Sequence, residues 1–179
     1  VYGYVGIYTE YEPFVVEGIN ESGLSAGLFF FPNFGSYAPY NESNNAKTLC
    51  DMQFVSWVLS QFSSIDQLKD ALESVKLVTL NHKIGSVHWR ITQPDGKMVV
   101  LEVVDGVPHF YDNELGVLTN SPGFPWHMTN LDNYCWLHYD NPIAKIRNTA
   151  MGTLLINLSE GMELERAVKA YENIMAPSN

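Results

Sequence analysis

Positive charge is scarce in this chain: 10 Lys and Arg stand against 20 Asp and Glu, leaving a net charge of −10 over 179 residues. Phosphate recognition needs clustered Lys and Arg. No basic run occurs, so nucleic acid is excluded as a partner. Excess negative charge also repels acidic ligands, and an anionic substrate would need a local cationic handle. Cysteine is nearly absent too. Cys50 and Cys135 are too few for a disulfide framework or a thiolate metal site, and they suit a reducing compartment. His82 and His88 come nearest to a metal-ligand spacing, but they have no companions and no cofactor is expected. Neither a membrane-length apolar run nor a signal peptide is visible, so the expected location is cytoplasmic, with no membrane partner. An initiator Met is missing as well. Val1 leads straight into a strand-like Tyr2–Tyr8, which reads as a chain with its start removed.

What is present is globular. Hydrophobic residues make up 46% of the chain and charged residues 17%, which suits one domain over residues 1–179 with a core of its own. Aromatics reach 13%, including ten Tyr and nine Phe, enough to fill a core or line an apolar pocket.

Periodicity sets the order of elements. After the opening strand, Phe14–Val16 is extended, Asn20–Gly23 has turn chemistry, and Leu24–Phe31 returns as an apolar strand, making a hairpin. Pro32–Asn45 reads as loop. Met52, Val55, Val58 and Leu59 recur at helical spacing within Asp51–Gln61; Ser64 with Gln67 forms a capping-box pattern before Leu68, Ala71, Leu72 and Val75. A second hairpin runs Ser86–Thr92, Pro94–Lys97, Met98–Val104, followed by strands over Val107–Tyr111 and Gly116–Thr119. From Trp126 onward the pattern is helical: Met128, Leu131, Tyr134 and Cys135 share a face, and further runs cover Ile143–Leu158 and Met162–Met175. Trp57, Trp89 and Trp126 read as core. Consecutive hairpins with paired helices imply a layered α+β fold.

Two segments are specific enough to name a family. One is Glu17-Gly18-Ile19-Asn20-Glu21-Ser22-Gly23-Leu24, continued by Ala26-Gly27-Leu28 and Phe31-Pro32. The other is Gly116-Val117-Leu118-Thr119-Asn120-Ser121-Pro122 with Phe124, Trp126, Asn130-Leu131 and Tyr134. In family order over residues 2 to 137, they resemble the choloylglycine hydrolases, the bile-salt hydrolase and penicillin V acylase family. The resemblance implies an N-terminal nucleophile (Ntn) hydrolase fold: an αββα sandwich of antiparallel sheets covered by helices, here truncated.

It implies further that the parent protein hydrolyses a linear amide, either a glycine- or taurine-conjugated bile acid or penicillin V and other N-acyl amides. The nucleophile would be an N-terminal Cys, supported by an Arg and an Asp, all upstream of Val1. The oxyanion of the tetrahedral intermediate would be met by the Asn120 side chain and the Phe30 backbone N–H. Arg147 is a candidate for the family's late Arg; the alternative is that Ala144 occupies that position and Arg147 is a solvated helix residue. Tyr8, Tyr11, Phe14, Phe29 and Phe31 correspond to pocket-side regions. Strand alternation sends Phe29 and Phe31 to one face and Phe30 to the other. Cys50, beside a helix N-terminus, is expected to have a somewhat lowered thiol pKa, yet neither it nor Cys135 matches the nucleophile, and both read as buried or semi-buried structural thiols. The resemblance also implies a homo-oligomer, commonly a tetramer. Two readings of other kinds stand beside the enzyme: a non-catalytic domain binding acyl or steroid ligands, and a purely structural subdomain.

Overall fold

The computed structural model describes residues 1–8, 14–79 and 85–132. Its strands are β1 (Tyr4–Tyr8), β2 (Val15–Asn20), β3 (Ser25–Phe30), β4 (Thr48–Cys50), β5 (Lys76–Val78), β6 (Val87–Thr92), β7 (Met98–Val104) and β8 (Val107–Asp112); its α-helices are α1 (Phe54–Gln61), α2 (Ile65–Leu72) and α3 (Phe124–Asp132). Six strands form one antiparallel sheet in the order β1-β2-β3-β6-β7-β8, while β4 and β5 pair in parallel apart from it. The chain divides into two compact units, Val1–Met128 and Thr129–Asn179. The sheet belongs to the first.

Turn chemistry sets both hairpins. Asn20 Oδ1 accepts from Ser22 N–H at 3.1 Å and from Leu24 N–H at 3.0 Å, and Gly23 supplies a φ of +84° that a Cβ would resist. Asp95 accepts from Lys97 N–H at 2.8 Å in the β6–β7 turn.

Alternation then divides the sheet. Leu24, Ala26, Trp89, Ile91, Val99 and Leu101 join Phe54, Val55, Val58 and Leu59 of α1 and Ile65 and Leu68 of α2 in one buried cluster. Ser64 caps α2 as expected, accepting from Gln67 N–H at 3.3 Å. The reciprocal bond is displaced by one residue, since Gln67 Oε1 takes the N–H of Ser63 at 3.0 Å.

Three expectations need correction. Gly116–Thr119 is irregular rather than strand, because its polar groups bond side chains and turns instead of a neighbouring ladder. Trp126 is 53% exposed on α3 and is not core. The Asp51–Gln61 helix opens with a 3-10 turn over Asp51–Gln53. Tyr134, Cys135 and the later helical runs lie outside the described residues, as do His82, Tyr11 and Arg147. Among the described residues no helix is long and apolar enough to cross a membrane, and no group of His, Cys, Asp and Glu is placed to hold a metal.

Candidate active site

Antiparallel pairing brings the C-terminal end of β3 beside the N-terminal end of β6, with Phe29 opposite His88 and Phe30 opposite Val87. Tyr8 pairs with Val15 where β1 meets β2, and continuing the β2–β3 register from Glu17↔Gly27 sets Val15 level with Phe29. Tyr8, Phe14, Phe29 and Phe30 therefore gather at one end of the sheet. The segment 113–123 starts at the other end, where Asn113 N–H donates to Met98 O at 2.9 Å, and reaches this end at Thr119–Ser121.

That segment is built by short polar contacts. Asn113 Nδ2 donates to Val117 O at 3.0 Å and Asn113 Oδ1 accepts from Gly116 N–H at 3.1 Å, with Gly116 at φ +70°. The chain then runs past the end of β3. Phe30 N–H donates to Asn120 Oδ1 at 2.9 Å, and Ser121 N–H donates to Phe30 O at 2.9 Å. Ser121 Oγ donates to Pro32 O at 3.1 Å, just before a cis Ser121–Pro122 peptide. His127 Nε2 donates to the Asn120 carbonyl at 3.1 Å.

These contacts decide how the Asn120 amide points. A backbone N–H can only donate, so the atom facing Phe30 must be the carbonyl oxygen. Nδ2 is left on the solvent side, with no hydrogen-bond partner among the described residues. The structure thus brings Asn120 and Phe30 together from 90 positions apart, but gives them unequal parts. The Phe30 N–H donates to Asn120, and the donor without a partner among the described residues is the side-chain amide.

The aromatic side chains also separate. Phe30 is 54% exposed, whereas Phe31 is 1% exposed and stacks on His88 at 4.4 Å between centroids. Phe29 meets the same imidazole edge-on at 6.2 Å, so Phe29 and Phe31 do share a side. Phe31 is packed away, which takes it off the expected substrate wall. A cleft of about 380 Å3 beside this region is lined by Pro32, Asn33, Tyr37, Thr79 and Ser86, among others. None of Tyr8, Phe14 or Phe29 lines it.

Sequence reasoning missed what lies beneath Asn120. His88 is 0% exposed and Glu102 2%, and Nδ1 of the first is 3.2 Å from Oε1 of the second. His88 Nε2 donates to the carbonyl of Thr119 at 2.9 Å. Phe124 N–H, at the start of α3, donates to Glu102 Oε1 at 2.6 Å. The signal was present: with Thr92 opposite Met98, counting outward along the hairpin sets His88 opposite Glu102. A lone acid within the apolar run Val99–Val103 needs a partner.

Cys50 is the half-buried structural thiol expected, but the expected lowering of its pKa is reversed. Its thiol donates to Asp51 Oδ1 at 3.1 Å, and burial, reinforced by that bond, pushes its pKa up to about 11. Such a thiol is a poor nucleophile at neutral pH.

An antiparallel sheet with α1 and α2 packed on one face is one half of the αββα layout of an Ntn-hydrolase fold. The chain belongs to the choloylglycine hydrolase family: residues 1–162 match the family described as linear amide C-N hydrolases, choloylglycine hydrolase family. It is 37% identical over 160 residues to a bile salt hydrolase/transferase of Clostridium perfringens, covering 86% of this chain and 48% of that one. It is 30% identical to a conjugated bile acid hydrolase of Lactobacillus gasseri, covering 97% and 58%. The crystal structure of a variant of the C. perfringens conjugated bile acid hydrolase superposes with a TM-score of 0.68 at 31% identity, covering 86% and 50%. Penicillin V acylase from Agrobacterium tumefaciens shares the fold, with a TM-score of 0.61 at 23% identity and coverages of 74% and 40%. The chain spans about half the length of these relatives.

Proposed function

We propose that this chain supplies the oxyanion-binding part of a linear amidase that releases glycine or taurine from conjugated bile acids. The observation that supports the reading is the Asn120 amide, its oxygen pinned by Phe30 N–H and its Nδ2 without a hydrogen-bond partner among the described residues. The substrate class comes from the names of the relatives. The family pattern implies an N-terminal Cys nucleophile outside residues 1–179, and Cys50, held protonated at neutral pH, does not take its place.

In the reaction that follows, a thiolate attacks the amide carbonyl carbon. A carbon–sulfur bond forms and the carbonyl π pair moves to oxygen. Asn120 Nδ2–H donates to that oxyanion, a role that needs a donor in place before charge develops. Collapse re-forms the carbonyl, breaks the carbon–nitrogen bond and expels the amine with a proton. Water then attacks the thioester, releasing the carboxylic acid and the thiol. Arg147 enters the proposal from the family pattern alone. Tyr8, Phe14, Phe29 and the exposed Phe30 ring are the candidates for contact with the acyl body.

The test is release of glycine and taurine from conjugated bile acids by a protein of the relatives' length that contains this segment, with penicillin V assayed in parallel. Asn120→Ala should lower kcat by ~10²- to 10³-fold, the usual cost of one oxyanion donor, with KM changed severalfold at most. Cleavage of penicillin V alone would move the substrate assignment. Binding of bile acids without turnover would favour the ligand-binding reading, and full activity of Asn120→Ala would remove Asn120 from the chemistry.

A further inference from the structure

We infer that the buried His88–Glu102 pair is a positioning device for Asn120, fixing the loop whose amide meets the reacting oxygen; the inference rests on the reading of Asn120 just given. The connection is short and continuous. Phe124 N–H and His88 Nδ1 both meet Glu102 Oε1, at 2.6 and 3.2 Å. The far side of the imidazole holds the carbonyl of Thr119 at 2.9 Å, one residue before Asn120. Glu102 therefore orients the ring, and the ring anchors the peptide next to the donor amide.

Proton counting defines the pair. The Thr119 carbonyl only accepts, so Nε2 carries a hydrogen. The Nδ1–Oε1 contact then holds one proton, as imidazolium with carboxylate or imidazole with carboxylic acid. Either way the pair is neutral as a unit and the Thr119 bond is kept. The ring itself cannot swing, with Phe31 stacked on it at an interplanar angle of 8° and Phe29 against its edge. Gly123 completes the fit. A Cβ there would lie 3.3 Å from Glu102 Oε2, so the turn into α3 can sit on the carboxylate.

Stability alone gives little reason for this arrangement. Two facing apolar residues of similar volume stabilise a sheet interior as well as a buried ion pair does, or better. The flanking β7 residues Val99, Val100, Leu101 and Val103 are all buried and apolar. The polar exception occurs at the level of the hairpin that holds the Thr119 carbonyl, one residue before Asn120.

The test compares His88→Phe, His88→Gln and Glu102→Gln in the same full-length protein. Phe keeps the stacking but removes the Thr119 bond, whereas Gln can still donate to that carbonyl. Glu102→Gln leaves a neutral imidazole one proton short of serving both neighbours. Misplacing a reacting group by about 1 Å can cost 10²-fold, so His88→Phe and Glu102→Gln should lose ~10- to 100-fold in kcat with KM little changed, and His88→Gln should recover much of it. The Asn120 side-chain NH2 resonances, read by NMR, should shift in His88→Phe and stay close to wild type in His88→Gln. Wild-type kcat in folded His88→Phe and Glu102→Gln, or unmoved Asn120 resonances in both, would overturn the inference. If His88→Phe does not fold, the other two variants decide by the same readouts. If the wild type cleaves no amide, the functional reading fails, and the NMR comparison still judges the link from His88 to Asn120.

Discussion

Two asparagines sit in the two family-like motifs, and their hydrogen bonds separate their roles. Asn20 is 4% exposed and saturated: Oδ1 accepts from Ser22 N–H, Ser22 Oγ–H and Leu24 N–H, and Nδ2 donates to Leu59 O at 2.9 Å and Phe62 O at 2.7 Å. It ties the β2–β3 turn to the end of α1 and has nothing left for a ligand. Asn20→Ala should cost about 3 kcal/mol of stability, since buried partners are left unpaired; urea unfolding measures it. Asn120→Ala removes an exposed amide and should change the same midpoint far less while removing activity. Both residues read as turn formers in the sequence, and only burial with bond counting tells them apart. Cys50 teaches the complementary lesson. Position beside a helix start suggested a lowered pKa, but burial and the Asp51 carboxylate outweigh the helix. With the thiol pKa at about 11, its thiolate fraction at pH 7.5 is ~100-fold or more below that of an ordinary cysteine. Alkylation of the Cys50 peptide, followed by mass spectrometry, should accelerate about tenfold per pH unit up to about pH 11. Rapid labelling at neutral pH would contradict the Asp51 contact.

At the scale of elements, local signals were legible and non-local ones were not. The β6–β7 hairpin announced itself through Pro94-Asp95-Gly96-Lys97, and α2 through its Ser64 cap. The β4–β5 pair joins Thr48–Cys50 to Lys76–Val78 in parallel across two helices, and three-residue strands carry no periodicity to find. Gly116–Thr119 looked like a strand from Val117 and Leu118, yet its end is claimed by His88 and Phe30, which lie far away in sequence. Glycines within the sheet show how packing outranks propensity. A Cβ on Gly18 would stand 2.5 Å from Val5 O and 2.7 Å from Leu59 Cδ1, squeezing β2 between β1 and α1. Gly96, at φ +90°, has nothing within 4 Å. Gly18→Ala should therefore destabilise by ~2–3 kcal/mol through overpacking, and should speed hydrogen exchange in β1. Gly96→Ala should cost only about 1 kcal/mol, from backbone conformation alone. Comparable losses at the two sites would show that α1 and β1 yield more readily than their contacts imply.

At the scale of the molecule, the family pattern paired two distant motifs that the fold brings into contact, because Asn120 of the second motif bonds the end of β3 at Phe30. The buried pair beneath Asn120 stayed hidden, because its partners belong to separate strands and a loop. The far edge of the sheet raises a different question. Among the described residues β1 pairs with β2 alone, and Val5 and Ile19 lie directly opposite one another, 77% and 51% exposed. Ile7, 63% exposed, follows on the same face. That face is turned away from α1, since the neighbouring Gly18 abuts Leu59. An apolar strip beside an unpaired strand edge favours pairing with other chains. The 179-residue chain in solution should therefore self-associate, as read by sedimentation. Val5→Lys with Ile19→Glu places opposite charges on a directly facing pair, an arrangement worth only ~0.2–1 kcal/mol in a sheet. The double variant of the 179-residue chain should sediment as a monomer with its unfolding midpoint nearly unchanged. In a protein of the relatives' length the same substitutions distinguish two situations. If the strip is covered there, two charges are placed in an apolar interface and the midpoint falls sharply; if it faces solvent, the midpoint stays where it was. A monomeric parent chain at high concentration would show that the strip is too small to drive association by itself.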